Sequence, residues 1–467
     1  MSPCVNSRRS FRYISSGFSL LEVMVALALG LLLSGGILSL FQGTSNTNRV
    51  QDGLAHLQEN GRFAVTRVQD DLRRLGGQYC SNTSGKARQG AVVPMLPVRA
   101  PEVYAKQLQL PDPGPGVSGT GIAVMNSVDA TGYPTVAAAT TPYALSPRFF
   151  VQGYDCPTAS ACTSGLPTSL PPQALTANSR LPGSDVLTIR YQRGTGWPLP
   201  TGQCAHSGGV PMLPDDKILT GDTLTLSPQA GDDPISRLVT PAPPSVVLIT
   251  DCVNSTIVPV SAAAGNQVTI GGILANAPAQ VCTGAGTRDV RVFDFSKDFV
   301  TVSYYVGVRP DLNPDARPNS ATATRLIPTL IRRENGIEQE LVQGVDVMRL
   351  HYGVQDNLGN TRFMTAAQIA AAPASTCPPM PADNIPADPF LREQGCLWRA
   401  VRTIEVHLLM NTVNEVVNLD TASRQYTFDG TTTTGVTIST VLPSGLAAGS
   451  MMRREFIGYV ANRNYTF

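Results

Sequence analysis

The residues of this chain that could carry chemistry are one isolated carboxylate, a set of cysteines and four histidines. Glu22 lies in the otherwise apolar run GFSLLEVMVALALGLLLSGGILSLF, from Gly17 to Phe41. Placing a charge in such a run costs roughly 2.5 to 3.5 kcal/mol in lipid, so the glutamate indicates a function. Cysteines outside the cytoplasm form disulfides, and histidines are common metal ligands.

The apolar run is long enough to cross a membrane, because about 20 apolar residues in a helix span a bilayer. It is preceded by three arginines, Arg8, Arg9 and Arg12. By the positive-inside rule these arginines stay in the cytoplasm, so everything after Phe41 is expected on the other side of the membrane.

Two other interpretations of the same run remain open. Ala26 to Ala28 fits the small-x-small pattern of a secretory signal peptidase, although Leu29 and Leu33 continue the apolar run and cleavage would split it. The run could also be a plain N-terminal anchor in which Glu22 is incidental.

The segment from Gly17 to Glu22 (GFSLLE) resembles the class III signal of type IV prepilins and of type II secretion pseudopilins. In that signal a basic leader ends in glycine, phenylalanine follows, and a glutamate comes shortly after. The resemblance implies that a prepilin peptidase cuts between Gly17 and Phe18, and that the new amine of Phe18 is methylated. It also implies that Glu22 neutralises the Phe18 amine of a neighbouring subunit and so sets the subunit register.

A helical pattern continues beyond the apolar run. Small and apolar residues recur at spacings of three and four, which places them on one stripe of a helix that we expect to pack on the protein's own sheet. They are Val50, Leu54, Leu57, Gly61, Ala64, Val68, Leu72 and Leu75. Gly76 and Gly77 give the stop signal. Breaks or kinks are allowed at Gly30, Gly35, Gly36 and Gly43.

A second resemblance begins in this helix and recurs to the end of the chain. Residues 58–64 (QENGRFA) and 71–76 (DLRRLG), followed by Cys80, are similar to the PilW group of minor pilins and, more loosely, to J-type minor pseudopilins. Further segments fit the same group. They are 183–191 (GSDVLTIRY), 246–252 (VVLITDC), 299–305, 344–353 (GVDVMRLHYG), 401–410 and 453–456 (RREF).

From Asp185 onward the hydrophobic pattern has a period of two residues. Segments rich in Val, Ile, Tyr and Thr are bounded by turn residues, which predicts antiparallel strands. The predicted strands are 186–191, 246–250, 267–270, 299–306, 345–352 and 404–410. By contrast, residues 81–182 are rich in Pro, Gly, Ser, Ala and Thr and predict loops with short strands.

Eight cysteines follow the leader. They are Cys80, Cys156, Cys162, Cys204, Cys252, Cys282, Cys377 and Cys396. Disulfides are their expected state in an oxidising compartment, although eight cysteines allow 105 connectivities. Local loops favour Cys156 with Cys162, Cys252 with Cys282, and Cys377 with Cys396.

Metal sites and catalytic motifs are not predicted. No C-x-x-C motif occurs, and the histidines (His56, His206, His351 and His407) are not spaced as zinc ligands beside a cysteine pair. Residues 355–360 (QDNLGN) predict a hairpin turn and not a calcium loop, since Asp356 is its one acidic residue. Gly114 to Gly119 matches G-x-G-x-x-G, but prolines interrupt it and no strand precedes it. We therefore expect no enzyme activity, no cofactor and no metal.

Charge gives no sign of a nucleic-acid partner. The formal net charge is +1, and basic residues occur as pairs, not as runs. The arginine pairs 73–74, 332–333 and 453–454 are expected on solvated faces, as are the carboxylate pairs 70–71, 215–216 and 232–233.

Together with the pilin resemblance, these patterns imply an α+β, pilin-like fold. A long N-terminal helix, half transmembrane and half amphipathic, would pack on a globular head rich in antiparallel β-sheet and containing disulfides. Five regions are predicted. They are a leader (1–17), a transmembrane and pilus-core helix (18–41), its amphipathic continuation (42–77), a loop-rich segment with cysteines (78–182) and the β-rich head (183–467).

The PilW resemblance implies a minor pilin that takes part in type IV pilus assembly by priming fibre growth and joining a complex at the tip. Its partners would be prepilin peptidase, other minor pilins, the major pilin, inner-membrane lipid and a large tip adhesin. The head would lie in the periplasm, and after assembly in the pilus at the cell surface. The alternative is a J-type pseudopilin of a type II secretion system, and a third hypothesis is a membrane-anchored periplasmic enzyme or ligand-binding module.

Overall fold

The computed structural model of the chain describes its N-terminal helix and most of the sheet-rich part. The described residues are 19–77, 101–105, 108–110, 122–124, 142–145, 150–156, 162, 166, 170–213, 216–238, 245–250, 255–274, 277–278, 290–312, 325–356, 358–376, 396–416, 425–429, 436–437, 442–443, 446 and 449–462. The chain forms two compact units, which divide between Ala55 and His56.

Helix α1 runs from Leu20 to Leu72 without interruption, so none of the breaks that its N-terminal glycines allow occurs. At its start the Ser19 hydroxyl accepts a hydrogen bond from the Leu21 amide at 3.2 Å. After Leu72 the chain turns, and Gly76 takes a positive φ of 67° that suits glycine. The glycine stop signal is thus confirmed.

The second part of α1, from His56 to Leu72, buries one stripe of its surface. This burial agrees with the predicted stripe from Leu57 onward. Its buried residues are Leu57, Gly61, Ala64, Val68, Asp71 and Leu72. Leu75, just beyond the helix, is buried as well. Val50 and Leu54 are only half-buried, so burial of the stripe begins at Leu57, about two turns later than the spacing predicts.

The remaining elements are mostly short strands. They are β1 (Glu102–Val103), β2 (Leu108–Leu110), β3 (Ile122–Val124), β4 (Tyr143–Ala144), β5 (Val151–Tyr154), β6 (Val186–Gln192), β7 (Trp197–Pro198), β8 (Cys204–Ala205), β9 (Lys217–Ile218), β10 (Thr223–Thr225), β11 (Val246–Thr250), β12 (Ser255–Ala264), β13 (Gln267–Ile270), β14 (Ala277–Pro278), β15 (Arg291–Asp294), β16 (Phe299–Pro310), β17 (Leu326–Glu334), β18 (Ile337–Gln343), β19 (Val345–Gln355), β20 (Thr361–Met364), β21 (Val401–Asn411), β22 (Gln425–Tyr426), β23 (Val436–Thr437) and β24 (Arg453–Ala461). The short helices are α2 (Phe295–Asp298), α3 (Ala366–Ala371) and the 3-10 helices Ile235–Leu238, Ala374–Thr376 and Cys396–Ala400.

Among the described residues after α1, which we call the head from here on, three sheets have four or more strands. One has nine strands, with the path β7-β15-β11-β12-β13-β10-β8 and with β1 and β4 attached through β12. A second has the order β18-β17-β16-β6-β5, and a third has the order β20-β19-β21-β24. Strand pairs in the second and third sheets are all antiparallel, as predicted.

The third sheet lies against the second part of α1. A Cβ atom built on Gly61 would lie 2.4 Å from the Phe456 ring, and one built on Gly458 would lie 2.7 Å from Val65 Cγ1. The Gln69 side chain donates to the Tyr459 carbonyl at 3.3 Å. Because side chains alternate along a strand, Phe456 and Gly458 face the helix, whereas Glu455, Ile457 and Tyr459 face the other way.

Each predicted strand exists, and several are longer than their pattern. β11 and β13 have the predicted bounds, whereas the strands that begin at Phe299 and Val345 run on to Pro310 and Gln355. The turn between β19 and β20 is also confirmed. Asp356 Oδ1 accepts from the backbone amides of Leu358 and Asn360, both at 2.9 Å, so this carboxylate serves the turn.

Candidate functional site

The first part of α1, from Leu20 to Ala55, carries an apolar surface that no other described residue covers. Every residue from Leu20 to Thr44 is exposed. The exposed side chains include Leu20, Leu31 and Phe41. The helix is long and apolar enough to cross a membrane.

Glu22 lies at the beginning of this apolar surface. Its Oε2 accepts a hydrogen bond from the Ser19 backbone amide at 3.0 Å. The first amides of a helix have no partner within the helix and carry a partial positive charge, so a carboxylate there is favourable. The predicted cleavage residues, Gly17 and Phe18, lie outside the described residues.

The second part of α1 is joined to the second sheet through one buried carboxylate. Asp71 Oδ2 accepts hydrogen bonds from Tyr304 Oη and Arg332 Nε, both at 2.6 Å, and Oδ1 accepts one from Tyr191 Oη at 3.2 Å. We call these four residues the Asp71 cluster. Burial alone would raise the pKa of Asp71, but the hydrogen bonds from Arg332 and Tyr304 and the charge of Arg332 lower it below its usual value.

A second buried carboxylate joins the start of β6 to β19. Asp185 Oδ2 accepts from the Leu350 amide at 3.1 Å, and Oδ1 accepts from Arg349 Nη1 at 2.9 Å. The neighbouring Ser184 hydroxyl accepts from the Met348 amide at 3.1 Å. Burial raises the pKa of Asp185 to about 6 in spite of the nearby arginine. The segment GSDVLTIRY is therefore both a strand and a connection between two sheets.

A third buried carboxylate holds the ends of three strands in one sheet. Asp346, at the start of β19, accepts from Arg453 Nε at 2.8 Å and from Asn411 Nδ2 at 2.7 Å. Arg453 begins β24 and Asn411 ends β21, so this contact connects the segments GVDVMRLHYG and RREF. Burial raises the pKa of Asp346.

The cysteines are described in part. Cys156 and Cys162, the first pair that local loops favour, form a disulfide with an S–S distance of 2.07 Å. Cys204 is also disulfide-bonded. Cys80, Cys252, Cys282 and Cys377 lie outside the described residues, and so does the side chain of Cys396. The pairs Cys252 with Cys282 and Cys377 with Cys396 stay predictions.

Two sequence patterns match known families. Residues 13–38 match the prokaryotic N-terminal methylation motif. Residues 304–464 match the family described as Type IV Pilus-assembly protein W, or PilW. The two matches support a PilW-type pilin with a prepilin signal. No curated protein sequence and no solved structure gives a significant match.

The family matches agree with the structural observations on this PilW-type pilin. The methylation motif covers Glu22 and most of the exposed apolar run, which anchors the pilin in the membrane. The PilW match begins at Tyr304, within β16, and includes β17 to β24. It therefore contains Tyr304 and Arg332 of the Asp71 cluster and the whole Asp346 contact. The pilin is related to type IV pilus assembly and is expected to interact with other pilus components.

Several charged residues of the pilin are buried, although the sequence analysis expected them on solvated faces. Asp71 was expected on a solvated face beside Asp70, but its side chain is 1% exposed whereas that of Asp70 is 46% exposed. Arg332 and Arg453 were likewise expected at the surface, yet their side chains are 5% and 0% exposed in ion pairs. The helical period could have identified Asp71, since it lies three residues after Val68 and four before Leu75 on the buried stripe.

Histidines that are far apart in the sequence come together on the third sheet. His351 in β19 and His407 in β21 have ring centroids 5.4 Å apart. With Asp429 they form a group that could hold a metal ion, whose ligand atoms all lie within 4.8 Å of one another. The sequence spacing of the histidines gave no sign of this group, because it depends on the register between two strands.

Proposed function

We propose that this pilin is a minor component of the type IV pilus that primes fibre growth and joins a complex at the tip. Its activity would be assembly and not catalysis. The observation that carries the proposal is the prepilin signal at the beginning of a helix whose apolar surface is exposed over its first part. Such a surface requires lipid or the equivalent helices of other subunits to cover it.

The mechanism begins with processing by prepilin peptidase. Cleavage after Gly17 would leave Phe18 as the new N-terminus, four residues before Glu22 and one before Ser19, whose amide already contacts the Glu22 carboxylate. An amine and a carboxylate that are each costly in an apolar bundle become tolerable when paired. Glu22 would therefore pair with the Phe18 amine of a neighbouring subunit as the helix leaves the lipid.

The Asp71 cluster would keep the head packed on the helix during assembly. The backbone joins the helix to the head, and the buried contacts of Asp71 hold the second sheet against residues 56–72 of the helix. Before assembly the head would lie in the periplasm, and afterwards in the pilus. Other minor pilins, the major pilin and a large tip adhesin would be its partners.

Processing is tested by the intact mass and N-terminal sequence of protein recovered from membranes and from sheared surface fibres. We expect a chain that begins at methylated Phe18, and a Gly17→Trp variant that keeps its leader and stays in the inner membrane. A native chain beginning at Met1 or Leu29, or normal processing of the Gly17→Trp variant, would contradict the cleavage site.

Assembly is tested by Glu22→Ala, with Glu59→Ala as the control. Glu59 is an exposed carboxylate on the same helix but outside the apolar run. Glu22→Ala should leave cleavage intact but reduce the pilin in sheared fibres by at least about tenfold, since 1.4 kcal/mol already corresponds to that factor. Unchanged fibre content in Glu22→Ala would contradict the pairing role.

Loss of a type II secreted protein without loss of pili, on deletion of the gene, would favour the pseudopilin alternative.

A further inference from the structure

The face of the third sheet that points away from α1 carries a group of histidine and acidic side chains. In the strand register Arg349 is opposite His407, and His351 is opposite Glu405. Glu405 in turn is opposite Tyr459 of β24. His351 and His407 are therefore diagonal neighbours on adjacent strands, and their rings lie edge to face.

Three carboxylates meet these two rings. Asp429, which follows β22, contacts His351 Nε2. Glu455 Oε1 lies 2.7 Å from His407 Nδ1, and Glu405 Oε1 lies 3.1 Å from His407 Nε2. We call His351, His407, Asp429, Glu405 and Glu455 the histidine cluster.

The basic side chain that lies beside the cluster on β19 already has a carboxylate partner. That residue is Arg349, whose Nη1 is 2.9 Å from Asp185. Three carboxylates share a partly buried site with two imidazole rings, and a cation bound there would offset the mutual repulsion of the carboxylates. A divalent cation would balance this charge while leaving the imidazole nitrogens free to act as ligands.

We propose that the histidine cluster is a structural binding site for a divalent first-row transition metal of the zinc class, with His351, His407 and Asp429 as ligands. Two imidazoles and one carboxylate form a ligand set suited to zinc, whereas calcium and magnesium prefer oxygen ligands alone. Ligand atoms in a tetrahedral zinc site lie about 3.3 Å apart. Since the present atoms lie within 4.8 Å of one another, shifts on the order of 1 Å would close the site.

The surroundings of His407 fit a metal ligand. A histidine that binds a metal usually donates its other ring N–H to a carboxylate, which fixes the tautomer and the ring orientation. His407 has a carboxylate beside each ring nitrogen, so this arrangement exists whichever nitrogen binds the ion. Its side chain is only 5% exposed, which holds the ring in place.

The position of Asp429 is also fixed by contacts that do not require a metal ion. Its backbone has a positive φ of 56°, a conformation in which aspartate is enriched among non-glycine residues. Its amide donates to Glu455 Oε1 at 2.8 Å. A metal ion here would fasten the segment that carries Asp429 to strands β19 and β21, so its role would be structural. This role does not depend on the proposed function in pilus assembly.

The site is tested by zinc titration of the full-length protein in detergent, with disulfides intact and after treatment with a chelator. Calorimetry and native mass spectrometry should show one tightly bound Zn²⁺ per chain, and Zn²⁺ should raise the melting temperature. His351→Gln and His407→Gln should each weaken binding at least 100-fold and abolish that rise, and Asp429→Asn should weaken binding at least tenfold.

The matched control is His206→Gln. His206 also contacts two carboxylates, Asp222 at 3.2 Å and Asp216 at 3.3 Å, but the described residues place no second histidine in its group. This variant should bind Zn²⁺ like the unchanged protein. If His407→Gln fails to fold, His351→Gln decides, because its side chain is 26% exposed. Absence of tight binding, or equal loss in His206→Gln, would overturn the proposal and leave the cluster as histidine–carboxylate ion pairs.

Discussion

At the scale of single residues, the feature that matters most is a carboxylate buried in the contact between α1 and the head. Asp71 has three hydrogen-bond donors, of which Arg332 is also an ion-pair partner of Glu334 at 2.6 Å. A buried charge pair adds little net stability over apolar packing, but removal of one partner leaves the other uncompensated. Asp71 is therefore a main part of the contact between residues 56–72 of α1 and the second sheet.

We predict that Asp71→Asn lowers the free energy of unfolding of the head by up to about 3 to 5 kcal/mol, because Arg332 loses its buried counter-charge and keeps only the partly exposed Glu334. Asp70→Asn is the matched control, since Asp70 is exposed and pairs only with Arg73, at 3.0 Å, among the described contacts. The control should change the free energy by less than about 1 kcal/mol. Denaturant unfolding of the full chain in detergent measures both, and similar effects of the two variants would contradict the role of Asp71.

At the scale of elements, close approach of α1 and β24 depends on glycine in both. Gly61 faces the Phe456 ring, and Gly458 faces Val65. Alanine is favoured over glycine within a helix by about 1 kcal/mol, whereas overpacking of a closed contact costs about 1 to 3 kcal/mol. A Cβ at 2.4 Å from an aromatic ring must displace that ring or the helix, so the packing cost should exceed the helical gain.

Gly61→Ala should therefore destabilise the head by about 1 to 2 kcal/mol, although it improves helix propensity. Gly43→Ala, on the same helix, has no atom within 4 Å of the added Cβ and should not destabilise it. The melting temperatures of the two variants distinguish the packing cost from the gain in helix propensity. If both variants melt at or above the temperature of the unchanged protein, the close contact does not constrain the helix.

The elements also show what the sequence could predict. β11 and β13 were predicted with their observed bounds because each combines β-branched residues with turn residues at both ends. β12, β17, β18 and β24 were missed as strands, since polar or small residues weaken their alternation. The register between β19 and β21 cannot be read from either strand alone, and that register brings His351 to His407.

At the scale of the whole molecule, buried carboxylates make stability depend on pH in two opposite ways. Asp71 has a lowered pKa, so its contribution is present at neutral pH and is lost as the pH falls through that pKa. Burial raises the pKa of Asp185 and of Asp294 to about 6. These two groups bind protons more tightly in the folded head than in the unfolded chain, so they favour folding at low pH. Their contribution is lost as the pH rises from about 4 to about 6.

Asp294 allows a test of the stability that is lost as the pH rises. It caps α2 by accepting a hydrogen bond from the Ser296 amide at 3.1 Å, and asparagine is an equally good cap, so Asp294→Asn removes the charge but keeps the cap. Asp294→Asn removes a buried charge whose cost, for a pKa of about 6 against an unfolded value near 4, reaches about 3 kcal/mol at pH 7. Relative to the unchanged protein, the variant should gain up to that amount as the pH rises from 4 to 7.

The control for this prediction is Asp233→Asn. Asp233 pairs with Arg237, which also lies 3.5 Å from Asp294 Oδ2, but the Asp233 side chain is 66% exposed. An exposed partner carries little desolvation cost, so its removal should leave the pH profile unchanged. Denaturant unfolding at pH 4, 5, 6 and 7 gives the comparison. A constant difference between Asp294→Asn and the unchanged protein across this range would mean that Asp294 stays ionised in the folded head, with Arg237 compensating its burial.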